Sequence, residues 1–288
     1  MIKRDWSLVF FTTLAQWSVG IILCFTWAVF NNNNLDPVFA TDLSLTIPVL
    51  AALIFIGVAT LSSFLHLGNP ANAHKALNNL SGSWLSREIL AIGVFTLSLV
   101  FVLVLAWKRG HSDYLQYLLA LSSVSGMALL WMMIRIYLIA TIPPWYSWYT
   151  PVSFVATALS LGLITCLGLH TGGWVNMTDQ TAMNFSVALG VILLIQIAAG
   201  ISHQFRLEKL DPGMDEPVFD RGAFYRVFLT RMAVLILACL AMIMVTFKPD
   251  LLPGYCNSLC LYLLFVLIIA QELVGRVLFY SSYFRIGV

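Results

Sequence analysis

The sequence predicts an all-α integral membrane protein, a bundle of eight transmembrane helices forming one domain over residues 1–288. Three observations predict it. Eight apolar runs of about twenty residues recur along the chain, and such runs cross bilayers as helices because lipid offers no partner to an unpaired backbone amide. Only 28 of the 288 residues are charged, 15 basic and 13 acidic, whereas a soluble domain carries charge on about a quarter of its positions. The mean hydropathy is +0.90, which excludes a water-soluble globule. A net charge of +2 supplies neither the broad basic face that nucleic acid demands nor an acidic disordered tail.

Helix 1, residues 7–30, follows Lys3 and Arg4 in the manner of a secretory leader, but the run from Trp6 to Phe30 is long enough to span and reads as a retained helix. Asn31 to Asn34 and Pro37 break it. Helix 2, 45–66, stops before Gly68 and Pro70. Helix 3, 84–107, opens after Gly82 with Ser83 as its N-cap and ends at Lys108 to Gly110. Helix 4, 114–140, runs up to Pro143 and Pro144, and helix 5, 150–170, up to Gly172 and Gly173. Helix 6, 181–203, precedes a polar stretch that includes Asp211 to Pro217. Helix 7, 223–247, stops before Pro249, and helix 8, 255–280, follows Gly254. No repeat of fixed period and no soluble appendage is evident.

The five cysteines, Cys24, Cys166, Cys239, Cys256 and Cys260, lie within or at the ends of apolar runs and form no disulfide framework. Cys256 and Cys260 share a helix face, but no C-x-x-C pair or Cys-Cys-His cluster is present to hold zinc or an iron–sulfur cluster. Any metal redox centre therefore belongs to a partner.

An even number of spans returns both termini to one face, here side A, together with the loops 67–83, 141–149 and 204–222. Side A carries nine basic residues near helix ends (Lys3, Arg4, Lys75, Arg87, Arg206, Lys209, Arg221, Arg226, Arg285), and side B three (Lys108, Arg109, Lys248). Taken alone, that excess sets side A in the cytoplasm. The polar residues inside the spans are also one-sided: His66, Glu88, Arg135, Gln196, His203, Arg231, Glu272 and Arg276 all fall in the side A half. Ionisable groups at such depth are costly and mark a pathway or a site. The pattern predicts a polar pocket open toward side A above a drier half.

The connection from helix 2 to helix 3 is short, so His66 and Glu88 should lie at similar depth on neighbouring helices. An imidazole and a carboxylate at a membrane boundary are able to bond the two hydroxyls of a lipid-soluble quinol and take its protons. The plainer reading is an interfacial histidine and a glutamate that favours a helix N-terminus. Position alone leaves both open.

The segments Leu65-His66-Leu67-Gly68-Asn69-Pro70, Leu77-Asn78-Asn79-Leu80, Leu85-Ser86-Arg87-Glu88-Ile89 and Trp131-Met132-Met133-Ile134-Arg135-Ile136-Tyr137 resemble the membrane anchor subunit of bacterial dimethyl sulfoxide reductase. The run Pro143 to Pro151 and the run Glu272 to Tyr280 look like the same family, and the likeness extends along nearly the whole sequence. The resemblance implies a subunit of the bacterial inner membrane that oxidises menaquinol in anaerobic respiration. Its electrons would pass to an iron–sulfur subunit that feeds a molybdopterin catalytic subunit, with no haem, metal or cluster in the anchor itself. The family's quinol-site histidine and glutamate match His66 and Glu88, and Arg87 and Arg135 join them as quinol-binding candidates. Asn72 stands where the family commonly has an arginine, with Lys75 nearby.

Other polar residues have double readings. Arg135 either orients the quinol or pairs with Glu88 or Glu272, its Trp131 and Tyr137 flanks setting it inside the aromatic boundary; the alternative is a snorkelling arginine. Glu272 and Arg276, four apart, read as a mutual structural pair. Gln196 and His203 line the pocket or simply pack. Trp145, Tyr146, Trp148 and Tyr149, set among prolines, form an interfacial belt, with a platform for the partner subunit as the second reading. The loop 204–222, with Arg206, Lys209, Arg221 and five carboxylates, either docks a protein or is solvated.

Three other functions compete. A subunit holding haem b needs paired histidines at one depth, and of the five only His66 and His203 meet that condition. A transporter would show duplicated halves with paired helix breaks near mid-membrane, which the sequence lacks. A passive anchor would use its polar residues for assembly alone. The expectation is an electron-transfer anchor, with quinol entering between helices near side A and protons leaving on that side. The resemblance implies an exported catalytic partner and so termini in the periplasm, against the basic count. Docking loops keep basic residues for the partner, and Lys108-Arg109 is a compact retention signal on side B. The terminal acceptor is selected by the partner.

Overall fold

Each apolar run closes its own backbone hydrogen bonds as a helix, because hydrocarbon would accept none of them. A computed structural model describes residues 2–31, 43–64, 77–107, 112–210, 221–247 and 254–284, and among these residues no strand occurs. The helices are α1 (Ile2–Asn31), α2 (Leu43–Phe64), α3 (Trp84–Trp107), α4 (Ser112–Tyr137), α5 (Tyr149–Thr171), α6 (Asp179–Leu210), α7 (Arg221–Phe247) and α8 (Gly254–Ser281). All eight are long and apolar enough to cross a membrane, as the sequence predicts for a multi-pass protein.

Two boundaries move for physical reasons. α6 continues to Leu210, seven residues past the apolar run, because the backbone needs no lipid to stay helical; Gln204 donates to Glu208 at 3.4 Å along the protruding turn. α4 ends at Tyr137, earlier than the hydropathy suggests, where Leu138 to Trp148 fold as turns ahead of and around Pro143 and Pro144.

The helices form two closed rings of four. α1 packs on α2, α2 on α3, α3 on α4, and α4 returns to α1; α5 to α8 repeat the pattern. The rings meet along α1 and α5, flanked by contacts of α1 with α8 and of α4 with α5. Exchanging α1–α4 with α5–α8 carries this pattern into itself, a pseudo-symmetry that no sequence repeat announces. A four-helix ring requires only apolar seams, which many unrelated side chains satisfy.

α1 and α5 form the centre. In its most apolar stretch α1 buries 78% of its residues and α5 67%, against 22% for α3 on the rim. The two central helices touch backbone to backbone at Gly20 and Gly162, where a Cβ on either would collide with the other helix. Small residues at helix crossings serve this purpose in lipid, where association depends on close packing. Hydroxyls and an indole stitch the same seams: Ser18 donates to the Ala52 carbonyl at 2.7 Å, Ser123 to Thr26 at 2.9 Å, and the Trp17 indole to Thr165 at 2.7 Å.

Gly162→Leu is expected to force α5 off α1 and lower the stability of the detergent-purified protein by about 1–3 kcal/mol, the scale of overpacking a close contact. A thermal melt superimposable on that of the wild type would contradict the central role of this crossing.

Candidate functional site

The entry to α3 is built by a cap and a clamp. The Ser86 amide donates to the Ser83 hydroxyl at 3.2 Å, so Ser83 is the N-cap that the sequence predicts. Arg87 donates through Nε to the Leu80 carbonyl at 2.7 Å and through Nη2 to the Ser81 carbonyl at 2.6 Å. Its guanidinium also lies 4.2 Å from the centre of the Trp84 ring. Arg87 therefore holds the turn that opens the helix.

Glu88 follows one turn inside α3 and is only 4% exposed. It is close enough to Tyr137 of α4 and Tyr280 of α8 to act on both electrostatically. The two phenols bond each other at 2.6 Å, and Tyr280 donates onward to Thr12 of α1 at 3.4 Å. Trp145 locks this cluster from side A. Its ring meets Tyr137 edge-on and stacks on Phe279, while its indole N–H donates to the Phe279 carbonyl at 2.9 Å. The carboxylate, the two tyrosines and the clamp thus converge at the side A ends of α3, α4 and α8. His66 lies outside the described residues, two positions beyond the end of α2.

Arg135 departs from the expected ion pair. Its guanidinium sits 4.8 Å from the Trp84 ring and 6.0 Å from that of Trp131. Among the described residues it pairs with neither Glu88 nor Glu272, and its Nε is buried without a partner. Indole faces attract a guanidinium while leaving its edges free, so Arg135 brings positive charge to the mouth of α3 without neutralising Glu88.

The other ionisable residues close on one another. Glu272 accepts four side-chain bonds: from Thr157 at 2.7 Å, Ser160 at 2.6 Å, Gln196 at 2.6 Å and Gln271 at 2.8 Å. Arg276 donates to Gln16 at 2.5 Å and to Thr157 at 3.4 Å, and lies 4.1 Å from the Phe154 ring centre. The direct Glu272–Arg276 pair expected from their spacing is not formed; the Thr157 hydroxyl bonds to both. Helix spacing brings the two side chains to one face, but α5 inserts its own hydroxyl between them.

Arg231 extends the cluster toward side A. It donates to Gln271 at 3.4 Å and to the Tyr149 hydroxyl at 3.3 Å, and it packs where Gly275 has no side chain. Tyr149 stacks on His203 with ring centres 4.0 Å apart. Beside them is a void of about 20 Å3, room for about one water molecule. Sequence reasoning singles out Glu272, Arg276, Gln196, Arg231 and His203 but passes over Gln16, Gln271, Thr157 and Ser160. Gln16 and Gln271 were recoverable as amides inside apolar spans; the hydroxyls, common in membrane helices, carry no such signal. Among the described residues no group of three or more His, Cys, Asp or Glu side chains is placed to hold a metal ion.

The sequence matches the family model of the DMSO reductase anchor subunit (DmsC) over residues 2–282. Similar proteins include two anaerobic dimethyl sulfoxide reductase chains of Escherichia coli strain K12. One, the C subunit, is 28% identical over 99% of this sequence and 96% of its own length. The other, YnfH, is 26% identical over 99% of this sequence and 96% of its own length. The corresponding C subunit of the Haemophilus influenzae anaerobic dimethyl sulfoxide reductase is 26% identical, covering 97% of this sequence and 95% of its own.

Glu272→Ala removes the acceptor shared by four buried side chains and leaves Arg276 without its nearby carboxylate. A loss of about 3 kcal/mol in stability is expected, measured by thermal denaturation in detergent. Wild-type stability would mean that the cluster does not hold the α5–α8 ring together.

Proposed function

This protein belongs to the DMSO reductase anchor subunit family, and we propose that it oxidises menaquinol in the bacterial inner membrane and passes the electrons to an iron–sulfur subunit. That subunit feeds a molybdopterin catalytic subunit, so the protein described here holds the quinol site and the anchor but not the terminal reduction. The observation that carries the reading is Glu88: a carboxylate buried at the side A end of α3, beside the Tyr137–Tyr280 pair and unneutralised by Arg135. Among the described residues Glu88 forms no salt bridge, and a carboxylate buried in that way is expensive to keep without a task in proton transfer.

Quinol oxidation releases two electrons and two protons. In the proposed arrangement one quinol hydroxyl donates to the Glu88 carboxylate, which takes its proton, and the other donates to His66. Arg87 keeps Glu88 in place by fixing the turn, and Arg135 with Trp84 orients the head group. Electrons leave one at a time toward a cluster docked on side A, and protons leave on the same side. This subunit then moves no net charge across the membrane. With the catalytic partner exported, side A and both termini face the periplasm. The partner selects the terminal acceptor.

Assembled complexes carrying Glu88→Gln or His66→Ala should oxidise menaquinol at least about 100-fold more slowly than wild type, the scale of losing a positioned acid–base group. A wild-type rate in both would sink the assignment. A reporter active only in the periplasm, fused at Val288, should be active; a silent fusion on a folded protein would move side A to the cytoplasm.

A further inference from the structure

The pairing of the two rings leaves a cleft on each flank of the α1–α5 seam, and the clefts are unlike. Between α2 and α8 the space is filled by Trp17 of α1, whose ring stacks on Phe55 at 4.3 Å and meets Phe265 at 5.9 Å. On the other flank, between α4 and α6, the residue corresponding to Trp17 is Leu159. Each lies three positions before the glycine of the Gly20–Gly162 contact. A groove of about 610 Å3 remains there, walled by α4, α5 and α6 with α1 as its floor, and without a charged side chain. Pockets that hold drug-sized ligands span about 300–1,000 Å3.

We infer that this groove holds the polyprenyl tail of the quinol, an inference that rests on the assignment of quinol oxidation to Glu88. Continuity with that site is what selects a tail over an annular phospholipid. Trp131 and Ile134 of α4 line the groove. Arg135, next along the helix, lies over the Trp131 ring and also over Trp84, four residues before Glu88. From there the groove descends to Trp27 and Asn184, which lie near the side B ends of α1 and α6. It is therefore an apolar channel that starts beside the head-group residues and runs down through the membrane, open laterally between helices. Lipid is as apolar as the groove walls, so the groove adds little hydrophobic free energy. What it supplies is position: a tail seated in it keeps the head group at Glu88.

Leu159→Trp places on the open flank the ring that fills the opposite one, and Ala188→Phe fills the same groove from α6. Both are tested in the assembled complex by following oxidation of a long-tailed menaquinol in proteoliposomes and of a tail-less, water-soluble naphthoquinol. In both variants the KM for the long-tailed quinol should rise about tenfold, while kcat/KM for the tail-less quinol stays within about twofold of wild type. Unchanged kinetics with both quinols overturn the proposal. So does an equal loss with both quinols. Unchanged kinetics together with the loss of a co-purifying phospholipid give the groove to lipid and overturn it as well. Glu88→Gln separates this proposal from the reading beneath it: oxidation of both quinols should fail, and if it persists the head-group assignment is wrong whatever the groove variants do.

Discussion

Hydrocarbon accepts no hydrogen bonds, and that single constraint organises this protein at every level. It makes each apolar run a helix, since only a helix satisfies its backbone within one segment. It also drives polar side chains in the bundle to partners inside the protein, hydroxyls often to a carbonyl one turn back on their own helix and longer groups to a neighbouring helix. The Glu272 cluster is the fullest case, where groups from α5, α6 and α8 surround one carboxylate and Thr157 hands the neighbouring guanidinium a share of the same network. Arg135 answers the constraint differently, by lying over aromatic rings that attract a cation without a hydrogen bond, and Arg276 adds such a ring contact to its hydrogen bonds.

Against that background Glu88 stands apart. Glu272 is surrounded by donors and belongs to the framework, whereas Glu88, almost as buried, sits near phenols at the ends of three helices, with Arg87 and Arg135 turned to carbonyls and indoles. In the proposed reading the two carboxylates divide the labour, Glu272 holding the α5–α8 ring and Glu88 serving the quinol. Trp145 ties the surroundings of Glu88 to side A, because the same indole braces Tyr137 and Tyr280 below and belongs to the Pro143–Pro151 run above.

The pairing of rings adds a second asymmetry. Close approach of α1 and α5 at Gly20 and Gly162 creates two flanking clefts, and the protein fills one with Trp17 while leaving the other open. A pseudo-symmetric scaffold thus carries one open groove through what differs between its halves.

Eight spans, their order and their side A polarity were legible in the residues, because bilayer thickness and the cost of buried charge act on composition directly. The N-cap at Ser83 was legible for a similar reason, its role being local. The residues themselves also marked Glu88, Arg135, Glu272 and Arg276 as functional or structural candidates. Their partners were not legible. Helix spacing paired Glu272 with Arg276, but Thr157, more than a hundred positions away, stands between them; Arg135 went to two tryptophans and not to a carboxylate. The double ring and the Leu159 groove were equally hidden, since each depends on which helix faces meet. One-dimensional patterns record what lipid requires of a segment, and only packing in three dimensions decides which segment meets that requirement for another.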